Sequence, residues 1–310
     1  MLMVRAYARA DANAWDAVVE RSRNGNLLHR RGYMDYHAER FVDRSLVVER
    51  NGNAVAVFPA NIQAGQVVSH GGLTYAGLIT THDLRAEPTL AVFEQIGNHY
   101  RLLGVQHVIY KAVPHVFHAY PAEEDLYALQ RLGARLARRD ISSVIPLQER
   151  FRFTPGRRRA VAKARKAGIR LQAGADPQAF HALLSQVLSK HGSVPTHSLP
   201  ELRLLQSRYP EQIVLHEARR GDALLAGVVV YDFGRVVHTQ YLAASEEGRR
   251  LDALSLLLAE LIGTVYAKRH YFSFGISSEQ EGRVLNEGLI AQKEYFGARA
   301  VVHDVYEWPL

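Results

Sequence analysis

The sequence repeats its own punctuation. Gly52 and Gly221 stand 169 residues apart, and so do Gly65 and Gly234. The first block, residues 45–69, is broken at Asn51-Gly52-Asn53 and at Ala64-Gly65-Gln66. The second, residues 212–238, is broken at Arg220-Gly221-Asp222 and at Phe233-Gly234-Arg235. Glycine takes positive φ without a Cβ penalty, so each break predicts a hairpin turn and each block three antiparallel strands. A second separation, of 164 residues, relates Leu132-Gly133-Ala134-Arg135 before Asp140 to Phe296-Gly297-Ala298-Arg299 before Asp304. Predicted helices precede both, over Glu123–Leu132 and Glu279–Phe296. Predicted strands, His107–Ala112 and Tyr271–Gly275, precede those. Two agreeing pairs of offsets with one element order point to duplication. The expected class is α/β (α+β): an N-terminal domain over 1–150 and a C-terminal domain over 151–310, the latter opened by a basic helix.

Composition permits this. The chain has 310 residues, 47% of them hydrophobic and 22% charged, enough for two ordinary cores. It has no cysteine, which removes disulfide frameworks, thiolate zinc sites and cysteine nucleophiles. The N-terminus lacks an apolar signal core, and the longest apolar helical stretch, Leu254–Ala267, contains Glu260 and is too short to span a bilayer. A cytoplasmic protein without a transmembrane segment is expected. The net charge of +7 is local: residues 131–170 hold 13 Lys/Arg against only Asp140 and Glu149. Thr154-Pro155-Gly156 opens a helix through Arg157, Arg158, Arg159, Lys163, Arg165 and Lys166 that Gly168 closes. Such a segment attracts a polyanion, or is a solvated helix face.

The strand Val236–Ala244 runs into Ser245-Glu246-Glu247-Gly248-Arg249-Arg250 and a helix predicted over Asp252–Ala267. A helix start presents free N–H groups suited to phosphate, so Gly248, Arg249 and Arg250 are candidate donor contacts. The plain alternative is an ordinary strand–helix turn. Strand alternation puts His238, Gln240 and Leu242 on one face and Thr239 and Tyr241 on the other. Two strands flanking the helix can splay into a slot, with His238 as general base and Gln240 and Tyr241 beside the donor. A half-buried, hydrogen-bonded histidine is the bland alternative.

Other candidates are Glu279 at a strand end, as a catalytic carboxylate or a first-turn helix residue, and His197 and Ser198 between two prolines, as substrate contacts or a helix cap. Lys293 is a phosphate contact or an exposed lysine. In the first half, Ser69-His70-Gly71-Gly72-Leu73-Thr74-Tyr75 occupies the corresponding place, making His70 and Tyr75 candidates. Tyr33, Tyr36, His37 and Arg40 have the spacing of one helix face, suited to stacking on a sugar or base, or to an interface between the halves. His115 and His118 have HxxH spacing but no third ligand in register, so no metal is expected.

From Gln212 to Trp308 the element order resembles the GNAT acyltransferase fold. Its phosphate loop, Q/R-x-x-G-x-G/A, is matched at Gly248, while Ser245 and Arg250 depart from it. The tandem arrangement resembles the FemABX peptidyltransferases. It is more similar still to FemAB-like GNAT proteins found with bacterial surface-polysaccharide genes. The stretches that carry this likeness are residues 69–75, 157–164, Pro195-Thr196-His197-Ser198, His238-Thr239-Gln240-Tyr241, Phe274-Gly275-Ile276-Ser277, and Asn286-Glu287-Gly288-Leu289 with Gln292-Lys293-Glu294 and Phe296-Gly297-Ala298-Arg299. The resemblance implies two tandem GNAT-like domains. It also implies an acyltransferase that uses acyl-CoA (acetyl-CoA) or aminoacyl-tRNA and acts on an amine of a nucleotide-linked amino sugar or a cell-envelope precursor. A non-catalytic RNA- or polyanion-binding protein using segment 131–170 is the competing expectation.

Overall fold

A computed structural model describes residues 2–190 and 192–310. The chain forms two compact units: residues up to 140 with 280–283 and 302–310, and residues 141–279 with 284–301. The division falls inside the strand Arg135–Pro146, ten residues before the expected boundary, and the chain returns within the strand Arg299–Pro309.

In the second unit, strands Arg170–Ala173, Ile213–Arg220, Ala223–Asp232 and Val236–Ala244 form an antiparallel meander. Val236–Ala244 then pairs in parallel with Tyr271–Ile276, which pairs antiparallel with residues 142–146. In the first unit, Leu46–Arg50 and Asn53–Phe58 turn at Asn51 (φ 52°) and Gly52 (φ 82°), the paired left-handed residues a tight hairpin requires. Asn61–Gln63 pairs antiparallel with Gln66–Val68, which pairs in parallel with His107–Lys111, which pairs antiparallel with residues 305–309. The sequence of pairing signs is the same in both units. The difference is one break: the strand that is continuous over Ala223–Asp232 is interrupted at Pro59-Ala60 in the first unit, because proline has no N–H for the ladder.

The closing strands are exchanged. Residues 142–146, from the first half of the sequence, complete the sheet of the second unit. Residues 305–309, the end of the chain, complete that of the first. Trp308 is buried in the first unit's core with Leu46, Phe58, Phe93, Ile96 and Tyr110. The second core gathers Val228, Val230, Val237, Leu257, Phe272 and Phe296.

Three sequence expectations are corrected. Residues 279–286 form a short hairpin, Ser278–Glu279 with Val284–Leu285, and the helix starts only at Glu287, capped by Asn286. The predicted helix from Asp252 is Ala253–Glu260 followed by a wider turn, Leu261–Val265. Residues 31–40 are not one helix: Arg31–Met34 gives way to a 3-10 segment with non-helical backbone at His37, so Tyr33, Tyr36, His37 and Arg40 do not form a helical face.

Trp308→Ala removes a fully enclosed indole from a strand that closes the first sheet. It is expected to lower unfolding stability by about 3–5 kcal/mol, read by urea titration. A loss under about 1 kcal/mol would show that this strand is dispensable to the first unit.

Candidate functional site

The parallel strands of the second unit are joined at only three pairs, Val236–Tyr271, Val237–Phe272 and His238–Ser273, and then diverge. Two irregularities sit where they part. The register against the neighbouring strand jumps at Gln240, which is a bulge: Val230 opposes Thr239 and Val229 opposes Tyr241. On the other strand Gly275 takes φ 75°, a left-handed conformation that favours glycine.

The bulge overturns the predicted faces. Val237 packs into the core, and so does Leu242, an odd and an even position that an unbroken strand would place on opposite sides. His238 and Leu242 therefore do not share a face. Tyr241 points instead toward the loop at His197, whose Nδ1 lies 2.6 Å from the Tyr241 hydroxyl.

A cavity of about 240 Å³ occupies the divergence. Leu242 and Phe274 line it from the strands, Leu254, Ser255 and Leu258 from the helix after the turn, and Leu289, Gln292, Lys293 and Phe296 from the C-terminal helix. Arg157 of the basic helix reaches in, donates to Ser255 Oγ, and lies 4.6 Å from the Phe296 ring centroid. Burial lowers its affinity for the proton. Lys293 is buried and not on the surface. Its Nζ donates to Gly275 O (2.9 Å), Ile276 O (2.8 Å) and Ser277 Oγ (2.6 Å), and burial brings its pKa down to about 8. The three acceptors hold the lysine against the diverging strand.

His238 is half-buried on the last of the three paired positions, on the strand face opposite Leu242. Its Nδ1 lies 3.1 Å from Ser273 Oγ, and its ring packs against Gly275, where a Cβ would come within 3.3 Å of Cε1. Glu279 is exposed in the hairpin and accepts from Asn286 Nδ2 at 2.7 Å. His197 is buried, and its carbonyl lies 3.0 Å from His181 Nε2. Ser198 forms a capping box with Glu201 for the helix Leu199–Arg208.

The turn expected to hold phosphate is satisfied internally. Ser245 Oγ accepts from Gly248 N at 3.0 Å, and Arg249 donates to Ala244 O at 2.9 Å. Gly248 is glycine for packing: a Cβ there would stand 1.8 Å from Leu225 O. The helix behind it, Glu246–Arg250, is five residues long. Arg249 and Arg250 are exposed.

The corresponding place in the first unit is filled. Ser69 stitches the two parallel strands: its N donates to Ile109 O (2.8 Å) and its Oγ accepts from Lys111 N (2.7 Å). His70, at φ 49°, is buried, and its pKa falls to about 3 through burial. Lys111 donates to Leu73 O, and burial brings its pKa to about 7. His37 is buried with Tyr36 stacked on it at 4.1 Å, and a Cβ on Gly72 would fall 2.0 Å from His37 Nε2. Tyr75 is a core residue, its hydroxyl accepting from Asn26 and its ring against Phe117. His118 is buried with Nε2 2.9 Å from Val113 O. The sequence signals did not single out Ser255, and they gave Arg157, Phe274 and Phe296 only as members of longer stretches. Arg157 is one of three consecutive arginines, and only the helix register turns it inward.

Residues 156–282 match the model of the acetyltransferase (GNAT) domain. Among solved structures, FemX is similar over 99% of this chain and 97% of that chain, at 12% identity and TM-score 0.71. The C-terminal domain of a putative lysylphosphatidylglycerol synthetase from Agrobacterium fabrum is similar over 97% of this chain and 92% of that one, at 11% identity and TM-score 0.62. A tandem GNAT protein from the clavulanic acid biosynthesis pathway covers 99% of this chain and 98% of its own, at 12% identity and TM-score 0.55. No curated protein matches the sequence. The second half of the chain is thus similar to a GNAT acetyltransferase domain. The whole has the FemAB-like tandem GNAT fold.

Lys293 supplies a pH test of this geometry. Its pKa in the folded chain, about 8, lies below the ordinary lysine value of 10.5. Between those values the unfolded chain binds more protons, so unfolding becomes harder as pH rises. Wild-type stability relative to Lys293→Met is expected to increase from pH 8 to 10.5 in urea titrations. A constant difference across that window would mean that the ammonium titrates as in water.

Proposed function

We infer that the second unit is an N-acyltransferase, joining an acyl or aminoacyl group from an activated donor to an amine. The observation that carries this reading is the apolar cavity opened by two diverging parallel strands, within and next to the segment that matches a GNAT domain. An activated carbonyl placed there is shielded from water, which favours attack by an amine over hydrolysis. The amine nitrogen forms the C–N bond while the C–S bond of a thioester, or the C–O bond of an aminoacyl ester, breaks. The amine proton must leave, and His238 receives it directly or through water, oriented by Ser273. The proton then returns to the leaving thiolate or alkoxide. The carbonyl oxygen needs a donor as it gains charge. The bulged Gln240 supplies its backbone N–H, since a bulged residue is released from the ladder. Lys293, held on Gly275 and Ile276, fixes the strand that bears the Gly275 contact to His238. The exposed Arg249 and Arg250 add positive charge for donor phosphates beside the helix that lines the cavity.

FemX and the lysylphosphatidylglycerol synthetase domain share this fold. The acceptor in this reading is a cell-envelope precursor or an amino-sugar nucleotide, and the donor is acyl-CoA or aminoacyl-tRNA. The test is incubation with each donor and a panel of amine-bearing nucleotide sugars and envelope precursors, read by product mass. Leu258→Trp, which fills the cavity, is the control that must abolish any product. Mass gain that survives Leu258→Trp would move the chemistry elsewhere.

His238→Ala is expected to lower turnover by roughly 10²–10⁴-fold with donor affinity little changed. His238→Gln keeps a polar side chain of similar size but cannot take the proton, and is expected to be nearly as slow. Near-normal turnover of a folded His238→Gln would remove this residue from proton transfer.

A further inference from the structure

A second concavity lies on the other side of the basic helix. It encloses about 620 Å³ and is lined by Arg150, Arg152, Arg158, Arg165 and Lys166 around a floor of Phe151, Phe153, Val161, Ala162, Ala259 and Gly263. No carboxylate lines it. Among the described residues, none of the five cations forms an ion pair, whereas Arg138, Arg139, Arg219 and Arg269 each hold one. Arg150 spends one N–H on Ile262 O at 3.1 Å. Like charges gathered without a counter-charge repel one another, so the arrangement is completed by an acidic ligand.

The basic helix itself divides into roles. Arg157 turns into the donor cavity. Lys163 is tied to Asp252 at 2.9 Å and to Arg250 O at 2.6 Å. Arg158, Arg165 and Lys166 are the members that face the groove.

Three features narrow the ligand. The floor is apolar and Phe151 is 57% exposed, which a ligand of bare phosphates does not use. The apolar groups lie in a concavity, which a flat bilayer does not enter. Carboxylates flanking an apolar stripe match a cationic rim around an apolar floor, as when an amphipathic helix seats in a groove. The neighbouring donor cavity, at about 240 Å³, is below the usual size for a whole cofactor, and the turn that would take a pyrophosphate is capped by its own serine. The two concavities adjoin: Arg157 and Arg158, and Leu258 and Ala259, are chain neighbours that line one each. Phe153 of the groove packs on Phe296 of the cavity at 5.2 Å.

We propose that the groove docks an acidic helix of a carrier protein that presents its acyl group as a thioester on a phosphopantetheine arm, with the arm entering the adjoining cavity. This rests on the acyltransferase reading above for the cavity, and on the groove alone for docking. The carrier supplies the negative charge at the rim, and only the slender arm has to fit between the strands.

The experiment uses the full chain and a fluorescently labelled acidic acyl-carrier protein in its acyl-loaded form. Binding is followed by anisotropy at about 50 mM salt and again at several-fold higher salt. Binding is expected at low salt and is expected to weaken about tenfold or more at high salt. Arg152→Glu/Arg158→Glu/Arg165→Glu should abolish it, and the milder glutamine triple should weaken it, with circular dichroism unchanged for both. Turnover with a small acyl thioester that needs no docking should be unaffected by either triple. No carrier binding at low salt, or binding that both triples leave intact, overturns the proposal. So does a groove that instead binds single-stranded RNA, or anionic vesicles, in a way the triples remove. Docking without transfer from any donor would refute the acyltransferase reading and leave the groove assigned. Transfer without docking would do the reverse.

Discussion

Three backbone pairs hold the two central strands of the second unit together, and a buried ammonium keeps them usefully apart. Lys293 places its charge on Gly275 O, Ile276 O and Ser277 Oγ, at the point where the strand leaves its neighbour. Pairing with the neighbouring parallel strand has ended at Ser273, so the carbonyls beyond it need another donor. The lysine satisfies them and is itself desolvated. The cavity, the orientation of Gly275 and the seat of His238 all follow from this exchange.

The first unit shows what happens without it. Its equivalent strands have the same parallel pairing, but Ser69 bridges them where they would part, and His70, Leu73 and Lys111 fill the space beyond. A glycine pair allows this. Gly72 sits so close to the His37 ring that any side chain there would collide. One topology thus gives an open slot in one copy and a packed one in the other, and the choice is made by a handful of side chains.

Much of the architecture was legible because duplication writes itself in glycines. Gly52, Gly65, Gly221 and Gly234 all adopt positive φ at the expected hairpins. The offset of 164 residues links Gly133 and Gly297, both left-handed after a helix. The site was legible only as a neighbourhood. A period-of-two pattern has no symbol for a bulge, so Gln240 shifted Leu242 to the face opposite His238. Lys293 reads as a surface lysine because nothing local reveals three acceptors on a distant strand. Gly248 was assigned to phosphate and serves packing against Leu225. The exchange of closing strands is invisible to any local signal, since nothing within Arg135–Pro146 or Arg299–Pro309 names the strand that each pairs with.

That exchange sets a schedule for biosynthesis. The first unit is synthesised first, yet its sheet lacks residues 305–309 until those residues have been made. At about 5–20 residues per second, the N-terminal half waits on the order of ten seconds or more with an open sheet edge beside His107–Lys111. An unpaired edge next to a hydrophobic core is where strands from other molecules add. The nascent protein therefore passes through an interval in which its most complete part is also its most adhesive, and chaperone demand should be highest there, when the N-terminal half is long since out and residues 305–309 are still to come.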